Sequence, residues 1–210
     1  MSNQISYLQK KYKKYGTIMI KKDSGLNPVS ISDFKELKKY CTNVKKEFIK
    51  IGDAGEKNHL LVGRFMTDIK KPKIVRNRYS KKVLKILSHE KYTSLIKQIL
   101  KIKIEQKIYL RRIQYNQINK NCFVGYHLDK DSNPDYLAAG VIQFGKKFSG
   151  GKYRVFQSKK KYIDYTPTVQ SLIISDCNYP HEVTKVTKGR RKSLVFFISK
   201  HKNNTRRKKN

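Results

Sequence analysis

The chain reads as an α+β protein, with helices in its first hundred residues buttressing a β-rich remainder. Three observations lead there. Apolar residues recur at three- and four-residue spacing through 34–48 and again through 83–100. From Lys107 onward the period becomes two. Gly, Asn and Pro turns cut that second half into short strands. With 210 residues, 38% of them hydrophobic and 14 Tyr and 9 Phe among them, the chain can build one substantial core and is no disordered polymer.

Taken in order, residues 1–14 are a basic, helical or frayed lead-in, and 16–20 (Gly-Thr-Ile-Met-Ile) a short strand. Turn chemistry at 23–28 precedes Ser32, which reads as a helix N-cap with Asp33 in the first turn. Phe34, Leu37, Cys41, Val44 and Phe48 make one apolar stripe of a helix of about four turns. Gly-Asp-Ala-Gly at 52–55 breaks it. His59–Met66 reads as a strand and Lys70–Tyr79 as a basic loop. Two helical segments follow, with a break near Ser88-His89. The domain plan is a support region at 1–106, a core at 107–199 and a basic disordered tail at 200–210, where Arg206-Arg207-Lys208-Lys209 is a nuclear or nucleic-acid patch.

Charge is the strongest compositional signal: 49 Lys+Arg against 15 Asp+Glu, net +34. Such a field concentrates polyanions, with DNA or RNA first and an anionic membrane surface or acidic protein next. No run of apolar residues is long enough to span a bilayer, and the N-terminus lacks a signal-peptide core. Cys41, Cys122 and Cys177 are an odd, scattered set. Reduced thiols in an intracellular compartment, cytoplasmic or nuclear and not secreted, are expected.

The chemistry concentrates between Gly125 and Ser193. Gly-Tyr-His-Leu-Asp (125–129) places His127 and Asp129 on one face of an extended strand, at its end, where loops leave a site open. The tripeptide alone is a weak signal. A turn through Asp176-Cys-Asn-Tyr-Pro then delivers His181. Two imidazoles and one carboxylate are the ligand set that suits non-heme Fe(II) with positions left open. Ten residues past His181, Arg191 and Ser193 share one strand face and together suit a carboxylate, with Arg190 the rival on the other face.

The order His-x-Asp, strand, x-Gly-Gly, strand, His-Glu-Val, Gly-x-Arg-x-Ser resembles the 2-oxoglutarate/Fe(II) dioxygenase superfamily over about residues 107–199. The resemblance implies a double-stranded β-helix (jelly-roll or cupin-like) core. It makes His127, Asp129 and His181 the iron ligands, and Arg191 with Ser193 the grip on the distal carboxylate of 2-oxoglutarate, with O₂ as the second co-substrate. Two departures stand out: Lys185 where many relatives have Pro, and Gln170 where a Gly often precedes the strand leading to the second His. The compact basic turn Phe-Gly-Lys-Lys-Phe-Ser-Gly-Gly is similar to that of the TET and J-base thymine hydroxylases, so the expected substrate is a DNA pyrimidine methyl. A flipped base would then stack on Tyr126, Tyr136 or Tyr153. The alternatives are a protein prolyl or lysyl hydroxylase of the same superfamily and a non-catalytic basic nucleic-acid-binding module.

Overall fold

A computed structural model describes residues 2–49, 59–145 and 147–203; the break at 52–55 and the cluster at 206–209 lie outside the described residues. The helices are α1 (Ser2–Tyr15), α2 (Ile31–Asn43), α3 (Ser80–Leu87), α4 (Glu90–Ile99) and a single turn, α5 (Asp129–Ser132). The strands before the core are β1 (Thr17–Ile20), β2 (Glu47–Phe48), β3 (Leu60–Asp68) and β4 (Pro72–Ile74). The core adds β5 (Tyr109–Ile118), β6 (Val124–His127), β7 (Ala138–Gln143), β8 (Phe148–Gly150), β9 (Tyr153–Ser158) and β10 (Lys161–Tyr165). It closes with β11 (Leu172–Asp176), β12 (His181–Val183), β13 (Val186–Gly189) and β14 (Arg191–Ser199).

Two antiparallel sheets face each other. The larger runs β1-β11-β7-β14-β5-β3-β2 with β4 on β3; the smaller runs β10-β9-β12-β6, and β13 pairs β8 separately. The larger sheet is covered on both faces at β7 and β11, which is why those strands are apolar almost throughout. Leu194, Phe196 and Ile198 of β14 and Ile113 and Tyr115 of β5 pack with Leu37, Val83, Leu87, Tyr92 and Ile96 of the helices. The alternate residues of those strands face the smaller sheet. There Ile118 and Val141 join Val124, Val155 and Val183 in a second apolar layer.

Local chemistry explains where the elements differ from the sequence reading. Helix α2 is capped by Ser30, not Ser32: its hydroxyl accepts the Asp33 N–H at 3.1 Å, after an Asn27 turn in which Oδ1 accepts the Val29 N–H. The helix ends at Asn43, because Glu47 and Phe48 pair with Val62 and Leu61 and leave Phe48 43% exposed. The basic loop at 70–79 contains β4, whose Pro72 sits on a sheet edge where no ladder donor is needed. The break at Ser88-His89 is confirmed, with the His89 ring capping α4.

Helix α1 reaches the site through Gly16. At φ +68° this residue closes the helix (Gly16 N–H to Tyr12 O, 2.8 Å), and its own carbonyl accepts the Asp176 N–H at 2.7 Å. A Cβ at Gly16 would lie 2.3 Å from the Tyr179 ring, two residues before His181. Gly25, at φ +74°, has nothing within 4 Å of such a Cβ. Gly25→Ala should therefore cost only the left-handed backbone, about 1–2 kcal/mol, and Gly16→Ala that amount plus displacement of Tyr179. Chemical denaturation of both variants measures the difference, and equal losses would show that Tyr179 yields freely.

Candidate active site

His181 and His127 are directly opposed across the β12–β6 pairing, with Val155 of β9 on the other side of His181. Each imidazole is held from behind by a carbonyl two residues upstream: His127 Nδ1 lies 2.8 Å from Gly125 O, and His181 Nδ1 3.2 Å from Tyr179 O. A carbonyl can only accept, so both Nδ1 atoms carry the proton and both Nε2 lone pairs point away from it. They point at Asp129. Its Oδ1 lies 3.5 Å from His127 Nε2 and its Oδ2 3.6 Å from His181 Nε2. The donor atoms of the three residues all fall within 4.8 Å of one another. Two imine nitrogens and a carboxylate converging without a donor between them is an arrangement that a cation stabilises.

Electrostatics divides the histidines. Burial alone would depress His127, but the adjacent Asp129 carboxylate and the Gly125 carbonyl outweigh it and raise its pKa. Burial dominates at His181, and its pKa falls despite Asp129. Asp129 is itself buried, which favours the neutral acid. His181, His127 and Arg112 reverse that and hold it ionised. Burial, with the Asp129 carboxylate nearby, pushes the Cys177 thiol well above its ordinary pKa.

The triad lines a cavity with Arg191, Tyr153, Arg112, Gln114 and Asn116 among aliphatic walls. Arg191 is 3% exposed, yet its Nε and Nη2 have no hydrogen-bond partner in the protein. Burial lowers its pKa to about 10, which still leaves it charged at neutral pH. A buried guanidinium without a counter-ion is costly, so the cavity is built for an anion. Gly151 makes the room: at φ +58°, a Cβ there would press to 3.1 Å from Arg191 Cδ.

A sequence profile of the 2OG-Fe(II) oxygenase superfamily matches residues 113–199, the span holding all of these groups except Arg112. A crystal structure of an oxidoreductase of the 2OG-Fe(II) oxygenase family from Burkholderia pseudomallei superposes with a TM-score of 0.86 at 26% identity, covering 98% of this chain and 94% of that one. Residues 113–199 carry the signature of the 2OG-Fe(II) oxygenase superfamily. A Pseudomonas putida prolyl-4-hydroxylase shares the fold at 13% identity (TM-score 0.63; 94% and 100% covered). So does a Trichoplax adhaerens prolyl hydroxylase solved with a peptide of hypoxia inducible factor (0.67, 13%; 94% and 90%). No curated protein matches in sequence. The oxygenase therefore has the expected α+β, double-stranded β-helix architecture and works with Fe(II), 2-oxoglutarate and O₂.

The fold brings His127, Asp129, His181 and Arg191 together. Ser193 is buried on the same face of β14 as Arg191 and Val195, while Arg190 is exposed. One detail differs from expectation. His127 ends β6, but Asp129 opens the α5 turn instead of continuing the strand, and the turn carries its carboxylate back toward the imidazoles. Of the three candidate base-stacking tyrosines, Tyr126 is 58% exposed on the outer face, against Phe156. Tyr136 is fully buried and stacked on Phe197. Tyr153 lines the cavity with its hydroxyl inside, beside His181.

Sequence reading missed Arg112 and Gln114, which line the cavity, and Cys177, which lies beside Asp129. Arg112, Gln114 and Cys177 carry no motif; the available signal was the period-two polar series Arg112, Gln114, Asn116 in a strand otherwise buried. Behind the site, fully buried Arg111 bonds Asp68 (Nη2 to Oδ1, 3.1 Å) and the His201 carbonyl (2.8 Å). Asp68 in turn accepts from Asn133 at 2.9 Å, fixing the loop that follows Asp129.

Metal binding requires both imidazoles neutral, so protons compete with it. Because His127 is raised above the ordinary value of 6.5, divalent-metal affinity should begin to fall above pH 6.5 and drop about tenfold per pH unit below His127's pKa, more steeply once His181 also protonates. An NMR titration of the metal-free protein should find His127 titrating above His181; the reverse order would contradict this electrostatic account.

Proposed function

We propose that this oxygenase hydroxylates an aliphatic C–H bond in a polypeptide, with His127, Asp129 and His181 as the iron ligands and Arg191, flanked by Ser193 and Tyr153, as the grip on the distal carboxylate of 2-oxoglutarate. The observation that carries the reading is the pairing, in one cavity, of three converging metal donors with a buried guanidinium that lacks a partner. Bound iron, with 2-oxoglutarate and O₂, supplies conversion of C–H to C–OH with release of succinate and CO₂. The protein's own residues supply the setting. Gly125 and Tyr179 carbonyls fix the imidazole tautomers, and Gly151 seats Arg191. Ile49, Leu60, Val124, Val183 and Val195 wall the cavity with hydrocarbon, which excludes water and accepts an aliphatic target. Residues 107–199 would be the catalytic core, with 1–106 its support.

Tyrosine placement weighs against a base as substrate. Among the described residues, the cavity's aromatic walls are Tyr153 and Phe197, both about 5% exposed or less, and neither offers an open stacking slot. The fold neighbours include two prolyl hydroxylases, one of them solved with a peptide. A nucleic-acid substrate is the second reading, favoured by the net charge of +34, which equally suits an acidic polypeptide. The converging donors and the oxygenase profile leave little to favour a non-catalytic module.

Incubation with Fe(II), 2-oxoglutarate and O₂ against a peptide library, duplex and single-stranded DNA, and RNA separates the readings by mass spectrometry. One added oxygen on peptide, with one succinate released per hydroxylation, is the expected result; a gain on nucleic acid alone overturns the polypeptide assignment. His127→Ala and Asp129→Ala should abolish stoichiometric Fe(II) binding. Arg191→Ala should retain iron and raise the KM for 2-oxoglutarate roughly 10- to 100-fold, the value of a charge-assisted hydrogen bond.

A further inference from the structure

The outer face of the smaller sheet carries a row of aromatic rings. Tyr126 of β6 leaves its strand on the side away from His127, which lines the cavity, and is 58% exposed. Its ring meets Phe156 of β9 edge-on at 5.0 Å between centroids, and Phe156 meets Tyr162 of β10 at 5.9 Å. Tyr162 lies directly opposite Phe156 in the β9–β10 pairing and is 48% exposed. The row crosses the sheet from one edge strand to the other, with half-buried Phe156 bracing an exposed ring on each side. None of the three rings belongs to the apolar clusters of the core, so core packing does not account for them.

The charges beside this row suit a polyanion. The Arg154 guanidinium carbon stands 3.9 Å from the Tyr162 centroid, a cation held against the ring. Its nitrogens donate to both oxygens of Asp164, at 2.7 and 3.1 Å, and to Glu182 at 3.3 Å. Lys152 reaches Asp164 as well, at 3.4 Å. These two carboxylates are thus engaged by cations of the sheet itself. The turn between β9 and β10 then adds Lys159, Lys160 and Lys161, all exposed.

We propose that this face docks single-stranded nucleic acid, with bases stacking on Tyr126 and Tyr162 and phosphates passing Lys159, Lys160 and Lys161. Exposed flat rings interleaved with cations hold single strands without reading their sequence, because every base has an aromatic face to offer. A duplex keeps those faces inside its own stack and fits the row poorly. An acidic polypeptide would engage the lysines and leave the rings unused. The net charge of +34 draws either polyanion to the molecule, and the rings select between them. The row stands on the opposite side of the sheet from the cavity, so docking here leaves the cavity free. The proposal is therefore independent of which polymer the cavity hydroxylates.

Fluorescence anisotropy of the full chain with labelled oligothymidylate, and with labelled polyglutamate as the acidic polypeptide, tests the assignment. Tyr126→Ala and Tyr162→Ala should each weaken oligothymidylate roughly 5- to 150-fold, the worth of one stacked base, and leave polyglutamate unchanged. Tyr126→Phe and Tyr162→Phe keep the rings and should bind as the wild type does. Combining Lys159→Ala, Lys160→Ala and Lys161→Ala should weaken both polymers and flatten the salt dependence of oligothymidylate binding. Unchanged oligothymidylate affinity in both folded alanine variants overturns the stacking platform and leaves only diffuse attraction by net charge. Equal losses for oligothymidylate and polyglutamate also overturn it, and assign the face to acidic polypeptide. Tighter binding of a duplex than of oligothymidylate overturns the choice of a single strand.

Discussion

The register of β12 against β6 is the constraint on which this active site depends. His181 opposes His127 because Val183 opposes Val124 two residues on, with an irregularity between. A slip of one residue would turn His181 to the outer face, where Glu182 now pairs with Arg154. Several unrelated contacts defend that register. The Tyr179 ring packs flat on Gly16, the Gly16 carbonyl takes the Asp176 N–H, and Val155 flanks His181 from β9. The N-terminal helix is thus tied to the candidate metal donors by contacts to residues a few positions away.

Buried charge is distributed by a consistent logic. Arg111 and Arg112 are adjacent in sequence and point to opposite faces of β5. Arg111 meets Asp68 and a backbone carbonyl and serves the loop behind Asp129. Arg112 enters the cavity. Arg191, equally buried, has donors without protein partners. Charges that are paired within the fold stabilise it. A charge without a protein partner, as at Arg191, costs stability until a ligand arrives, and that cost becomes affinity.

The backbone shows the same exchange at Gln170, which adopts φ +65° at the position where a Gly often stands in relatives. A non-glycine residue there is strained by about 1–2 kcal/mol. The fold offsets it with three hydrogen bonds: Gln170 Nε2 to Val29 O (2.7 Å), Asn27 Nδ2 to Gln170 O (2.8 Å) and Gln170 N–H to Gln143 O (2.9 Å). They also anchor the 27–29 turn to the strand that leads toward His181.

The sequence by itself determined the class of fold, the candidate donor residues and the reaction class, because each rests on local pattern. Alternation marks strands, Gly-Gly and Asn-Tyr-Pro mark turns, and His-x-Asp, His-Glu-Val and Arg-x-Ser carry their residue types openly. The boundaries of α2 and the strand β4 were not legible, since a Ser30 cap and pairing with β3 outweighed the apolar stripe and the basic composition. Nor could alternation say which face of β5 meets the cavity. Leu-Arg-Arg-Ile is symmetrical to any local rule, and only the sheet packed on each side assigns Arg111 to Asp68 and Arg112 to the site. The tyrosines make the same point: Tyr126, Tyr136 and Tyr153 look alike in sequence, and the structure sends one to the surface, one to the core and one into the cavity. Those assignments belong to tertiary structure, because a strand has two faces and only long-range packing decides what each will meet.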